Sequence, residues 1–205
     1  MKMIHWFAAG LLASSVASIA NAAPAIGQPA PSFRATDVAG KPVSLADFKG
    51  KYVVLEWNNP GCPFVQKHYD SGNMQALQKR FGAEDVAWLS INSTNESSSD
   101  YMPPAKLAAW FKQQNAAPAA VVMDAKGEVG RAFGARVTPH MYVIDPNGTL
   151  VYAGAIDDKR STNVADVKTA TNYVVAALTE AKSGKPVSKA NSQAYGCTIK
   201  YGSSL

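Results

Sequence analysis

Two cysteines occur in the chain, Cys62 and Cys197, and they are the residues best able to do chemistry. Cys62 stands in Leu55-Glu56-Trp57-Asn58-Asn59-Pro60-Gly61-Cys62-Pro63-Phe64-Val65, where an apolar run gives way to a Pro-Gly turn and then to a helical pattern. A cysteine at a helix start faces unpaired backbone N–H groups and the positive end of the helix dipole, which favours the thiolate over the thiol. The thiolate is the form that attacks a disulfide or a peroxide, so this placement points to Cys62 as a nucleophile. Cys197 lies in Tyr195-Gly196-Cys197-Thr198-Ile199-Lys200-Tyr201, near the end of the chain. Two roles stay open for it. It can resolve a mixed disulfide formed at Cys62, or it can close a structural disulfide over a separation of 135 positions. Loop closure of that length gives an upper figure on the order of 5 kcal/mol.

The elements that must position these cysteines follow from periodicity. Residues 51–57 form a continuous apolar, β-branched run, which predicts a strand buried on both faces. Residues 63–81 read as helix interrupted at Ser71-Gly72-Asn73, hence two helices or one strongly kinked one. Further strands are expected at 86–92 and 120–124, and a hairpin at 141–152 turns on Pro146-Asn147-Gly148. Helices are expected from Pro103-Pro104 to about Gln114, over 128–133 with Gly134 as its stop, and over 164–182 behind Thr162 or Asn163. Ser93 to Asp100 reads as a mobile surface loop. Two short strands, Phe33 to Asp37 and Pro42 to Leu45, precede the whole, and Ser44-x-x-Asp47 starts a brief helical turn. A parallel pair needs a crossover helix and a hairpin makes an antiparallel edge, so the order implies an α/β fold with a central mixed sheet flanked by helices.

Residues 1–22 have the pattern of a secretory signal. Lys2 supplies the positive start, Trp6 to Ile19 carries no charge, and Ala20-Asn21-Ala22 offers a cleavage site. The expected organisation is a signal at 1–22, one domain at 23–184, and a C-terminal tail at 185–205 with little periodicity and, in the resolving role, enough flexibility to bring Cys197 to Cys62. Export with an even pair of cysteines implies a disulfide-permitting compartment, here the periplasm, with no membrane attachment after cleavage. The net charge of +5 is spread along the chain without an aromatic-interleaved basic block, so nucleic acid is not an expected partner.

The element order and two joints together resemble the thioredoxin-like fold. Cys62-Pro63-Phe64-Val65 stands where thioredoxins carry C-x-x-C, and Val137-Thr138-Pro139-His140 looks like their cis-proline loop. Within that superfamily the chain is most similar to the redoxin, or AhpC/TSA, branch. The residues from Leu55 to Tyr69 look like its active-site segment, with further matches at Gly154-Ala155-Ile156-Asp157-Asp158, at Gly184-Lys185-Pro186-Val187 and in the Gly-Cys-x-Ile-Lys tail. The resemblance implies that Thr138 and Pro139 lie against the cysteine, that Pro63, His140 and Trp57 join them around a substrate groove, and that Glu56 is a buried carboxylate assisting proton transfer. It implies a thiol or disulfide substrate and a periplasmic electron donor.

The chain departs from that pattern twice. Val65 replaces the second cysteine of C-x-x-C, and the peroxide-binding P-x-x-x-T-x-x-C pattern is broken, with Asn59 at the Thr position and Leu55 at the Pro position. Thiol–disulfide exchange is therefore the leading expectation. A thiol peroxidase and a redox-inert binding module stapled by Cys62–Cys197 are the alternatives. A soft-metal site built from Cys62, His140, Met141 and Cys197 has no ligand-spacing motif behind it, and neither metal nor cofactor is expected. His68 reads as a surface or packing residue.

Overall fold

The computed structural model describes residues 23–203. The expected signal, residues 1–22, lies outside them. No helix among the described residues is long and apolar enough to cross a membrane.

Strand β1 (Arg34–Asp37) turns at Gly40 into β2 (Pro42–Ser44). Asp47 accepts from the Ser44 N–H at 2.7 Å, closing a capping box over the 3-10 turn Leu45–Phe48. The chain then enters β3 (Val53–Trp57), every residue of which is buried. Helix α1 (Pro63–Asp70) follows the Pro-Gly turn, and α2 (Asn73–Ala83) follows a break at Gly72, whose φ of 73° is costly for a side-chain-bearing residue. Next come β4 (Ala87–Asn92), α3 (Pro104–Gln113), β5 (Ala120–Met123) and α4 (Glu128–Phe133). The remaining elements are β6 (Val137–Thr138), β7 (His140–Ile144), β8 (Leu150–Gly154), α5 (Tyr173–Lys182) and β9 (Cys197–Thr198).

Seven strands form one mixed sheet in the order β2-β1-β5-β4-β3-β7-β8. β3 pairs parallel to β4 and antiparallel to β7, so it sits at the centre with both faces covered. Alternation along β3 divides the core. Val54 faces a cluster with Val65, Tyr69, Met74, Trp88, Leu107, Val174 and Leu178, beneath α1, α2, α3 and α5. Val53, Leu55 and Trp57 face a second cluster with Phe33, Leu89, Phe133, Tyr142 and Ile199, beneath α4 and the segments around Ile26 and Tyr201.

Three local expectations are corrected. The helix expected over 164–182 is two pieces: a 3-10 segment, Val164–Thr169, then extended backbone at Ala170, then α5 capped by the Asn172 side chain, which accepts from Val175 N–H at 3.0 Å. Val167 lies outside the core; its spacing to Val174 only mimics a helical face. The loop after β4 begins buried, with Ser93 and Thr94 only 2 % and 3 % exposed, because both are hydrogen-bonded inside the protein. The tail is not a loose strand. β9 pairs with β6, Tyr195 is buried in the first core, and Ile199 is buried in the second.

Because Ile199 fills a core site, Ile199→Ala is expected to cost about 2 kcal/mol or more even with the disulfide intact. Denaturant unfolding of the oxidised protein checks this; an unchanged midpoint and slope would mean that the tail contributes no packing.

Candidate active site

Three segments converge at the end of β3. The first is the turn into α1. Asn59 O accepts from Cys62 N–H at 3.0 Å and Asn59 Oδ1 accepts from Gly61 N–H at 2.8 Å, which sets the turn. Cys62 is the N-cap of α1 with extended backbone, Pro63 occupies the first turn, and the Cys62 carbonyl accepts from Val65 and Gln66, both at 2.9 Å. Behind this turn, Asn92 Nδ2 donates to Asn58 O at 3.1 Å and Asn59 Nδ2 donates to Thr94 Oγ1 at 3.2 Å. The Asn92 side chain, at the end of β4, and the Thr94 hydroxyl, on the loop expected to be mobile, fix the cysteine turn.

The second segment is β6 with the Thr138–Pro139 bond, which is cis. The Thr138 carbonyl oxygen lies 3.1 Å from Cys62 Sγ, where it can accept a hydrogen bond from the thiol once the cysteine is reduced. Thr138 and Pro139 are both buried, and Thr138 Oγ1 has no hydrogen-bond partner.

The third segment is the tail. Cys197 is joined to Cys62 by a disulfide, with Cα atoms 5.8 Å apart, and its backbone pairs with Thr138 in antiparallel register. Gly196 makes the approach possible. Its φ is 147°, and a Cβ there would collide with the Thr138 carbonyl. Tyr195 anchors the segment from the other side, edge-on to Phe64 of α1 with ring centroids 5.7 Å apart and its hydroxyl donating to Asp157 Oδ1.

That anchor belongs to a buried charged cluster that sequence reasoning missed. Lys67, fully buried, donates to Lys159 O at 2.7 Å and stands 3.7 Å from Asp157 Oδ2. His68, expected at the surface or in packing, is fully buried and packs inside; its Nδ1 lies 3.0 Å from Asn73 Nδ2 and its Nε2 lies 3.9 Å from Asp157 Oδ2. Burial, reinforced by the Lys67 charge, pushes the His68 pKa down to about 3, so the imidazole is neutral and the pair is Lys67 with Asp157. The available sequence signals were the matches at Lys67 and His68, inside the segment from Leu55 to Tyr69, and at Asp157.

Glu56 is wholly buried on the α1 side of β3. Its carboxylate accepts from Tyr69 Oη at 2.9 Å, Asn58 Nδ2 at 3.0 Å, Trp88 Nε1 at 2.8 Å and Gln78 Nε2 at 3.4 Å. Desolvation raises its pKa, and the four donors pull the other way without cancelling that effect. Two neighbours can adapt to a protonated Glu56, because Asn58 Oδ1 and Ser90 Oγ are buried without partners.

Two residues expected at a groove lie elsewhere. Trp57 is fully buried in the second core, 5.5 Å from Phe133 and 5.1 Å from Tyr142 between ring centroids, with Nε1 donating to Ser93 Oγ at 3.0 Å. It points away from Cys62 because strand neighbours alternate faces. His140 shares that face. It stacks on Tyr142 with centroids 4.6 Å apart and borders a cavity of about 520 Å³ with Phe133, Arg136 and Asn191. Burial, together with Arg136, lowers its pKa to about 4. Pro63 is exposed at the rim. The groove expected beside the cis-proline is occupied by β9.

The sheet order, the cysteine at the start of α1 and the adjoining cis-proline define a thioredoxin-like protein of the redoxin type. Residues 26–153 match the AhpC/TSA family, and the chain belongs to that family. It is 29% identical over 127 residues to the thiol-disulfide oxidoreductase ResA of Bacillus thuringiensis subsp. konkukian, spanning 62% of this chain and 67% of that protein. An uncharacterized conserved protein from Geobacillus kaustophilus superposes with a TM-score of 0.76 at 26% identity, covering 88% of this chain and 94% of that one. The thioredoxin domain of a thiol-disulfide oxidoreductase from Bacteroides vulgatus shares the fold, with a TM-score of 0.52 at 22% identity over 72% of this chain and 98% of its own.

Buried His68 and half-buried His140 make stability acid-sensitive. An unfolded histidine takes up a proton near its ordinary value of 6.5, whereas folded His68 and His140 do so only near 3 and 4. Between these values the unfolded chain binds more protons, so unfolding free energy falls as pH drops below 6.5. Glu56, with its raised value, opposes this in part. Urea titrations across that range are expected to show a shallower acid loss in His68→Gln than in the unsubstituted protein; parallel curves would overturn the assignment.

Proposed function

We propose that this protein is a thiol–disulfide oxidoreductase of the periplasm, working through the Cys62–Cys197 couple. One observation carries the reading: Cys62, at the start of α1 and beside the cis-proline, is bonded to a cysteine that the chain holds in strand register with Thr138. Val65, at the position of the absent second cysteine, is fully buried, so the partner sulfur comes from the tail instead. The name of the ResA relative supports exchange chemistry, and the signal-like residues 1–22 support export. A dithiol or disulfide, on a protein or a small molecule, is the substrate class, and a periplasmic thiol donor completes the cycle. Neither cofactor nor metal enters the reaction as written.

In this reading the helix start lowers the free energy of the Cys62 thiolate, the Thr138 carbonyl takes the thiol proton's hydrogen bond in the reduced form, and Glu56 accepts or returns protons as the sulfurs change state. Its raised pKa suits that role, because it brings the carboxyl closer to neutrality than an exposed glutamate.

Equilibration with glutathione buffers tests the reading. A catalytic couple is expected to have a reduction potential above about −300 mV, and one well below it would instead mark an inert staple. Turnover of a model disulfide should disappear in Cys62→Ser and in Cys197→Ser. Thiol consumption that depends on peroxide rather than on disulfide would favour a peroxidase, which the AhpC/TSA membership makes the competing chemistry.

Glu56→Gln should slow exchange roughly tenfold or more and flatten the rise of rate with pH, because the proton acceptor is lost. An unchanged pH–rate profile in a folded variant would assign Glu56 to packing alone.

A further inference from the structure

We propose that a thiolate reaching the oxidised protein attacks Cys197 and expels Cys62, so that the mixed disulfide with substrate forms on the tail cysteine. This rests on the exchange reading above and reverses the order that the sequence suggested, in which Cys62 attacks and Cys197 resolves.

The two sulfurs are unequal in access. Cys62 is 2 % exposed and belongs to the core cluster of Val65 and Tyr69, with the Thr138 carbonyl 3.1 Å from its Sγ. Cys197 is half-buried, and its neighbour Thr198 is exposed. Of the two bonded residues Cys197 is therefore the nearer to solvent. Displacement at sulfur is in line, with the attacking and departing sulfurs on opposite sides of the one attacked, so the approach to Cys197 comes from the solvent side and the approach to Cys62 comes through protein.

They are unequal as leaving groups too. A sulfur whose thiolate is stabilised leaves faster, and Cys62 caps the eight-residue helix α1 while Cys197 sits in a two-residue strand. Burial and the Thr138 carbonyl oppose that helix effect at Cys62, so the direction of attack rests on access.

The tail can stay in place during the reaction. β9 remains paired to β6, the Tyr195 hydroxyl donates to Asp157, Phe64 packs on Tyr195, and Ile199 is buried. Attack on Cys197 breaks the S–S bond alone, whereas attack on Cys62 also requires the tail or the Thr138 loop to lift.

The steps balance. A substrate thiol loses its proton, and its thiolate bonds to Cys197 Sγ; the Cys62–Cys197 bond breaks, and Cys62 leaves with the electron pair and takes up a proton. A second substrate thiolate then attacks the substrate sulfur of the mixed disulfide and expels the Cys197 thiolate, which is protonated in turn. The dithiol has lost two electrons and two protons to the protein. Run backwards, Cys197 is the nucleophile toward a substrate disulfide and Cys62 resolves the adduct. Cys197 is thus the cysteine that meets substrate, in either direction.

The test uses the unsubstituted, full-length oxidised protein. Reduced glutathione is added, the reaction is acid-quenched at a series of short times, the protein is unfolded and alkylated with N-ethylmaleimide, and the peptides are mapped by mass. The earliest adduct is expected on Cys197, with maleimide on Cys62 of the same molecules, in roughly tenfold excess over the reverse pattern. An earliest adduct on Cys62, or equal amounts on both, overturns the order of attack while leaving the exchange reading standing. A disulfide that glutathione does not open overturns both.

Discussion

The disulfide between Cys62 and Cys197 closes across a third partner, the backbone of Thr138, and the rest of the structure depends on that three-way meeting. Each arm is fixed by different physics. The Cys62 turn is held by the side-chain amides of Asn59 and Asn92, the latter donating to the Asn58 carbonyl, and by the Thr94 hydroxyl, the Thr138 arm leads through its cis-proline into β7 of the sheet, and the tail is held by burial of Tyr195 and Ile199. None of these requires the disulfide. The bond joins parts that other interactions already bring together, so breaking it need not disperse them.

The buried cluster of Lys67, Asp157, His68 and Tyr195 ties the tail to the helix that carries Cys62. Burying an ammonium is expensive unless it is paired, and Lys67 has the Asp157 carboxylate and the Lys159 carbonyl within reach. The pairing is directional: Asp157 receives the Tyr195 hydroxyl on one oxygen and faces Lys67 with the other. Tyr195 therefore has one place to go, and Cys197, two residues further, inherits that position. Well-packed apolar residues could match the stability of such a cluster, but they would fix the tail's register less sharply.

Much of this was legible in the sequence because local and tertiary signals agreed. The unbroken apolar run of β3 marked the central strand, Pro63 marked the first turn of α1, Ser71-Gly72 marked the break before α2, and Pro146-Asn147-Gly148 marked the last hairpin. Legibility failed where tertiary contacts decide. Ser93 and Thr94 look like loop residues, yet their hydroxyls serve Trp57 and Asn59 in the interior. Val167, Val174 and Leu178 share a helical spacing, yet the chain is extended at Ala170 and restarts under the Asn172 cap. Trp57 and His140 flank the two joints in sequence but face the opposite core, since one residue along a strand changes the face. Both cysteines were apparent as chemistry; which of them lies nearer to solvent is set by packing alone.

Moving the second cysteine from the helix to a distant tail changes what the redox couple costs the protein. In C-x-x-C the two sulfurs share one helix turn, so oxidation hardly restricts the unfolded chain. Here the bond closes a loop of 135 positions, and oxidation removes conformational freedom from the unfolded state worth on the order of 5 kcal/mol by loop-closure theory. By linkage, a folded state that holds the two sulfurs together favours oxidation as much as oxidation favours folding. Tyr195, Ile199 and the β6–β9 pairing order the tail through contacts other than the disulfide, and such contacts raise the effective concentration of Cys197 at Cys62. The anchoring of the tail and the poise of the couple are therefore one quantity, and weakening the first makes the disulfide easier to reduce.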